Sequence, residues 1–327
     1  MDKLLEVRHL KKYFPIRKGL LKKTIGYIKA VDDVSFEVAR GETFGLVGES
    51  GCGKTTVGKT VLRLLEATDG EVLLEGEDIC KLNKEELRKK RRDMQIVFQD
   101  PYGSLNPRMT IEAIIAEPIK EHKLASGAEV TEQVEQLMHD VGLNTKEMKK
   151  YPHEFSGGQR QRVAIARALA VSPKLIVCDE PVSALDVSIQ AQILNLLHDI
   201  QEKKGVAYLF IAHGMPAVKF MSHNVGVMYM GQLVEVAPAK KLFAKQLHPY
   251  SIALISAVPI ANPEKKSNRI ILNGEIPDLR SLPSGCRFST RCSYACERCV
   301  NETPQLQEVL PEHFVACHFV SGLDKRK

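Results

Sequence analysis

Apolar residues recur with two periods along this chain, and the switches between them mark out its elements. Residues 3–47 alternate apolar and polar positions over short runs, read as strands between turns, and close on the buried-type run "TFGLVG". A glycine-rich loop follows, and "TTVGKTVLRLLEA" then carries apolar residues at helical spacing. "GEVLLEGEDI" predicts short strands, "KEELRKKRRD" a charged helix and "MQIVF" a strand. Residues 108–150, polar and alanine-rich, predict a mainly helical insert. From about Ser156 a helix, the strand "KLIVCDE", the helix "VSIQAQILNLLHDIQEK" and the strand "VAYLFIAH" alternate as an α/β unit does. Beyond "NVGVMYMGQLVEVA" come helical segments over 239–257, a linker-like "ANPEKKSNR" and a loop-rich unit at 270–320. No internal repeat is visible.

Composition adds limits. With 327 residues, 44% hydrophobic and 26% charged, the chain has the make-up of an ordinary soluble protein, large enough for one large core plus an appendage. The start "MDKLLEVRHLKKYF" has no signal-peptide pattern, and no apolar run has the length of a membrane span. The expected compartment is therefore the cytosol, where metal ligation outranks disulfides. A net charge of +6 permits an anionic partner without requiring one.

The strongest chemical signal is "GESGCGKT", which fills every fixed position of G-x-x-x-x-G-K-[ST] between a predicted strand and a predicted helix. Gly48, Gly51 and Gly53 let the backbone curl so that N–H groups face phosphate oxygens. Glu49, Ser50, Cys52 and Thr56 complete the candidate cradle, with Cys52 a small filler rather than a reactive thiol. Lys54 supplies a mobile charge for the terminal phosphates, and Thr55 a hydroxyl for Mg²⁺. Far along the chain, "LIVCDE" is an apolar strand ending in two carboxylates. Asp179 is placed to hold Mg²⁺ through water, and Glu180 to take a proton from an attacking water. Elsewhere such a pair is usually a solvated strand end; after a phosphate loop the nucleotide reading leads.

"FSGGQRQRVAIARALAVSPKLIVCDEPVSALD" narrows the class, because the chain here resembles the ATP-binding subunits of ABC transporters. That resemblance implies a P-loop α/β fold: a mixed-sheet core, an antiparallel β-subdomain and an inserted helical subdomain over 108–170. It assigns Ser156, Gly157, Gly158 and Gln159 to a signature that reaches the partner subunit's ATP in a head-to-tail dimer. Asp186 matches the loop communicating between sites, Gln99 the glutamine touching Mg²⁺ and water, His213 the switch histidine, and Tyr13 the aromatic that stacks on adenine. A core tyrosine is the alternative for Tyr13. The family pattern is broken at two places. Gly214 follows the switch histidine where an acidic residue is usual, and His223 and Asn224 replace an acidic and a basic residue.

"DPYGSLNPRMT", "LHPYSIALISAVP" and the cysteine-rich end resemble the oligopeptide and dipeptide importer branch, and "PYGSLNPR" the second of its two ATPase subunits. The resemblance implies an ATPase domain at 1–258 with an importer-type extension at 259–327, on the cytoplasmic face of the membrane. Implied partners are a second, non-identical ATPase, two membrane permeases and, through the complex, an extracellular solute-binding protein. Nickel, glutathione and some sugar importers have similar ATPases. A nucleic-acid- or ribosome-associated ATPase is the more distant alternative: "RKKRR" is a basic run, but it lacks interleaved aromatics and reads as a solvated helix face.

Five of the eight cysteines crowd into C-x5-C-x3-C-x2-C-x17-C: Cys286, Cys292, Cys296, Cys299 and Cys317. Cys80 and Cys178 lie in apolar contexts and read as small buried residues. The odd count and the expected compartment disfavour disulfides in the cluster, and spacing alone leaves zinc and a [4Fe–4S] cluster both open. The importer resemblance implies the iron–sulfur cluster on Cys286, Cys292, Cys299 and Cys317, with Cys296 an extra thiol.

Overall fold

The alternation seen in the sequence becomes twelve strands and eleven α-helices in the computed structural model, which describes residues 2–19, 23–258, 270–272, 274 and 277–320. The strands are β1 (Lys3–Lys18), β2 (Lys23–Ala39), β3 (Thr43–Val47), β4 (Asp69–Leu74), β5 (Glu77–Asp78), β6 (Met94–Val97), β7 (Leu175–Asp179), β8 (Ala207–Ala212), β9 (Asn224–Tyr229), β10 (Gln232–Pro238), β11 (Gln307–Leu310) and β12 (His313–Val315). The first helices are α1 (Lys54–Val61), α2 (Lys84–Lys90), α3 (Pro101–Ser104), α4 (Ile111–Glu121) and α5 (Ala128–Asp140). Then come α6 (Gly157–Leu169), α7 (Val187–Lys204), α8 (Met215–Met221), α9 (Ala239–Ala244), α10 (Pro249–Ser256) and α11 (Glu297–Asn301).

Three features differ from the pattern. The helix expected through "TTVGKTVLRLLEA" stops at Val61, because Arg63 turns left-handed at φ 49° and Leu64 N closes the end on Lys59 O at 2.8 Å. The short α3 had no periodic signal; Asp100 starts it by capping Tyr102 N at 2.9 Å, with Pro101 in the first turn. Cys80 is half-buried rather than buried, whereas Cys178 is fully enclosed. The linker "ANPEKKSNR" lies outside the described residues.

The chain divides into two compact units. The first holds Met1–Leu5, Val38–Thr43 and Leu73–Ala212. In it β6, β7 and β8 run parallel, with Val97 beside Cys178 and Asp179 beside Ile211. All five residues of β7 and all six of β8 are buried, as strands covered on both faces must be. Helices α4, α5 and α6 pack together as the helical insert, and α6 also lies against β6 and α7. The basic run is a helix face with acidic neighbours: Arg88 meets Glu121 at 2.8 Å and Lys90 meets Glu77 at 3.0 Å.

The second unit holds Glu6–Glu37, Phe44–Val72 and His213–Lys327. Its mixed sheet runs β11-β12-β10-β9-β3, with β3 parallel to β9 and the remaining pairs antiparallel. The C-terminal hairpin β11–β12 thus extends the sheet that begins beside the glycine-rich loop. Its seat is fastened by Glu235, a fully buried carboxylate that accepts from His313 Nε2 (2.7 Å), Leu247 N (2.8 Å) and His248 N (3.0 Å). A buried charge persists only with such compensation.

Candidate functional site

In the second unit the loop after β3 has the curl that its glycines predicted. Gly48 and Gly53 adopt φ 155° and 109°, and a Cβ on either would stand 2.1 Å from a carbonyl oxygen, Met228 O and Ala30 O respectively. No other residue fits that approach. Lys54, only 4% exposed, folds back over the loop and donates to Gly48 O (2.8 Å) and Glu49 O (3.0 Å). Cys52 is buried, and burial raises its thiol's pKa, in keeping with a filler. Thr55 and Thr56 sit in the first turn of α1, at the helix's positive end.

Glu49 is held at both ends. Its N–H donates to the Tyr250 hydroxyl at 2.8 Å, and its carboxylate receives both Arg291 Nη1 (2.6 Å) and Nη2 (3.1 Å). Tyr13 donates its hydroxyl to Asp32, whose other oxygen is paired with the buried Arg287. Burial first, then the Asp32 contact, keeps the Tyr13 phenol protonated. Lys29 Nζ stands 5.5 Å from the Tyr13 ring centroid. Asp32, Tyr250, Arg287 and Arg291 were not singled out from sequence; the one available signal was basic residues immediately after Cys286 and before Cys292 in "CRFSTRC". His213 lies one residue beyond β8 rather than within it, and is exposed.

The first unit assembles the carboxylate side. Parallel register sets β6 beside β7, so the residues just beyond their ends meet: Gln99 Nε2 donates to Glu180 Oε2 at 2.8 Å. Glu180 is 5% exposed and sits at φ 52°, a left-handed position that non-glycine residues rarely hold. Its backbone is fixed by Glu180 N to Ile211 O (2.9 Å) and by Ser183 Oγ to Glu180 O (3.1 Å). Asp179, 4% exposed, ends β7.

Ser156 caps α6 through a reciprocal box: its Oγ accepts from Gln159 N (3.3 Å), and Gln159 Oε1 accepts from Ser156 N (2.9 Å). Ser156 and Gly157 are exposed, so the positive end of this helix faces outward. A Cβ at Gly158 would stand 2.6 Å from Ile189 Cγ2, so glycine there permits close packing on α7. Asp186, exposed, precedes α7.

The cysteine-rich segment lies in the second unit. Cys286 is pushed up to about 11, first by burial and then by the neighbouring thiols of Cys299, Cys317 and Cys292. Burial likewise raises Cys292 and Cys317, and each also senses Cys299. Cys296 behaves differently: backbone N–H groups, that of Cys299 foremost, lower it, and its sulfur is 3.9 Å from Cys299 Sγ. Cys286, Cys292 and Cys317 thus share Cys299 as a neighbour, while Cys299 itself is raised first by burial and then through its contact with Cys296. Among the described residues, no three His, Cys, Asp or Glu side chains converge as ligands of a single ion. Also among these, no helix is long and apolar enough to cross a membrane.

A family model described as ABC transporter matches residues 31–183, and one described as oligopeptide/dipeptide transporter, C-terminal region, matches 234–299. The chain is 50% identical over 323 residues to an oligopeptide transport ATP-binding protein of Bacillus subtilis (strain 168), spanning 98% of each. A probable peptide ABC transporter ATP-binding protein of Sinorhizobium fredii is 49% identical over 97% of this chain and 90% of its own. Among solved structures, a dimeric ATP-binding cassette in a post-hydrolysis state with ADP and Pi superposes with TM-score 0.64. It is 27% identical, and the match covers 72% of this chain and 98% of the other. A component of an ABC transporter complex from Clostridium perfringens gives TM-score 0.65 at 26% identity, over 75% and 92%.

Proposed function

Since this chain belongs to the ATP-binding proteins of ABC transporters, in the oligopeptide and dipeptide branch, we propose that it powers the import of peptides. It is an ATP hydrolase. The observation that carries the catalytic assignment is the Gln99–Glu180 contact: a buried carboxylate at a strand end, held by a side chain from the neighbouring strand's end.

In this reading the loop N–H groups and the α1 terminus take the phosphates, and Lys54 leaves its two carbonyl partners for the terminal phosphates. Thr55, Asp179 and Gln99 are the residues that would hold Mg²⁺, which neutralises charge on the phosphates. Glu180 accepts a proton from the attacking water while Gln99 fixes its carboxylate, and His213 completes the site. The signature Ser156–Gln159 receives the partner subunit's ATP, and Asp186 links the two sites. Closure of the pair acts on two membrane permeases through the Gln99 region, at the cytoplasmic face, with a separate solute-binding protein delivering substrate.

Cys286, Cys292, Cys299 and Cys317 are the ligand set for a [4Fe–4S] cluster, with Cys296 outside it. That Cys286, Cys292 and Cys317 each sense Cys299 supports that set. Bound there, the cluster would staple a segment of small core.

The test is uptake of labelled peptides by vesicles holding the full transporter. ATP-dependent uptake should be lost with Lys54→Ala in this chain. Uptake of nickel, glutathione or a sugar in place of any peptide would overturn the substrate class.

A further inference from the structure

Two arginines of the cysteine-rich segment grip the nucleotide site of the same unit from outside its motifs. Arg291, adjacent to Cys292, forms a two-pronged ion pair with Glu49 in the phosphate loop, at 2.6 and 3.1 Å. Such a fork fixes direction as well as distance. Its side chain is 7% exposed. Arg287, adjacent to Cys286, reaches the Asp32 carboxylate with one nitrogen and the Met230 carbonyl with another.

Those two acceptors lead to opposite ends of a bound nucleotide. Asp32 holds the hydroxyl of Tyr13, the adenine-side aromatic. Met230 opens the β9–β10 turn, whose Gly231 N donates to Cys52 O within the phosphate loop at 2.8 Å. Gly231 O accepts from Asp32 N at 2.8 Å, which closes the network on itself. Between the arginines, Phe288 packs its ring against Tyr229 and Tyr250, centroids 5.2 and 5.4 Å apart, and the Tyr250 hydroxyl accepts from Glu49 N.

We propose that Arg287 and Arg291 are positioning residues of the nucleotide site, so that the cysteine-rich segment sets this chain's affinity for ATP. The proposal rests on the reading that Tyr13 and the phosphate loop hold ATP. Neither arginine touches the reacting atoms. Arg291 sets the loop through Glu49, and Arg287 sets the Tyr13 ring through Asp32. The effect therefore falls on binding and leaves the chemical step alone.

The experiment uses the assembled transporter and photo-crosslinks an azido-ATP analogue to each ATPase subunit separately, alongside steady-state ATPase kinetics. Arg291→Ala should weaken labelling of this chain on the order of tenfold, raising KM for ATP while kcat at saturation stays near normal. Arg291→Lys should recover part of the affinity, since a point charge keeps the pairing but not the fork. Tyr13→Phe keeps the ring and removes its tether, and should also raise KM. Arg291→Gln and Glu49→Gln combined should be no worse than either alone. If Lys54→Ala labels like wild type, the ATP reading itself is wrong. If Lys54→Ala abolishes labelling while Arg291→Ala and Tyr13→Phe bind normally, the positioning role is wrong. A lower melting temperature with unchanged affinity in the folded fraction would likewise overturn it, leaving the arginines merely structural.

Discussion

Gln99 and Glu180, 81 positions apart in sequence, meet through a 2.8 Å hydrogen bond just beyond the ends of paired strands β6 and β7. The contact orients a carboxylate without consuming its capacity to accept a proton, because only one oxygen is engaged by Gln99. Glu180→Gln keeps an acceptor for Gln99 but removes the base. Turnover of the assembled transporter should fall by about 10² to 10⁴ while ATP binding persists. Near-normal turnover would remove Glu180 from the mechanism.

The signature is best probed at Ser156, since Gly158→Asp would collide with Ile189 and confuse packing with function. Ser156→Arg deletes the α6 cap and sets a cation at the helix's positive end, costing about 1 kcal/mol in the helix. Crosslinking should find this chain's own nucleotide bound as before and hydrolysis at the partner's site impaired. Loss of this chain's own binding alone would contradict the head-to-tail arrangement.

Gly214, which stands where the family resemblance leads one to expect an acid, is not imposed by packing. It has φ −80° at the start of α8, and a Cβ there meets nothing within 4 Å. Gly214→Asp should fold normally and gain a few tenths of a kcal/mol by capping the third helical residue, Ala217, since Pro216 has no N–H to offer. Thermal melting checks stability, and ATPase assay checks that turnover is not reduced.

His248 supplies a pH signature. Complete burial drives its pKa down to about 4, against the partial opposition of Glu235. The unfolded chain therefore binds a proton that the folded one refuses between about pH 6.5 and 4, so stability is full above that window and falls as pH drops through it. Urea unfolding should show a loss of about 2 kcal/mol between pH 7 and pH 5 from this group. His248→Asn, which retains a capping acceptor for Tyr250 N, should flatten that slope.

For the thiols, anaerobic purification should yield iron and sulfide near about four each per chain, with broad visible absorbance. Cys296→Ser should retain full iron and Cys286→Ser should lose it. A colourless preparation carrying one zinc would decide for the other metal.

What could be read from the sequence was local. The phosphate loop announces itself because its glycines, Lys54 and Thr55 all fall within eight consecutive residues. Glu180 was legible as one of two carboxylates ending an apolar strand, and Gln99 only through the family resemblance; parallel strands then bring the two together. Arg287 and Asp32 were not legible, since 255 positions separate them and their meeting depends on how the C-terminal segment packs. The early end of α1 was equally hidden: apolar spacing continues past Val61, and only the left-handed turn at Arg63 stops the helix.

The strand β12 lies beside β10, pairing Val315 with Glu235, and the two arginines, one paired with Asp32 and one with Glu49 of the phosphate loop, sit at 287 and 291. A ribosome makes these pieces after every nucleotide motif. A nascent chain whose first 260 residues have emerged already has every nucleotide motif, yet it lacks both arginines, the neighbour strand of β10, and the His313 partner of Glu235. On the proposal above, such a chain holds ATP less tightly than one extended through His313, so the affinity of the site should climb as synthesis passes Arg287 and Arg291.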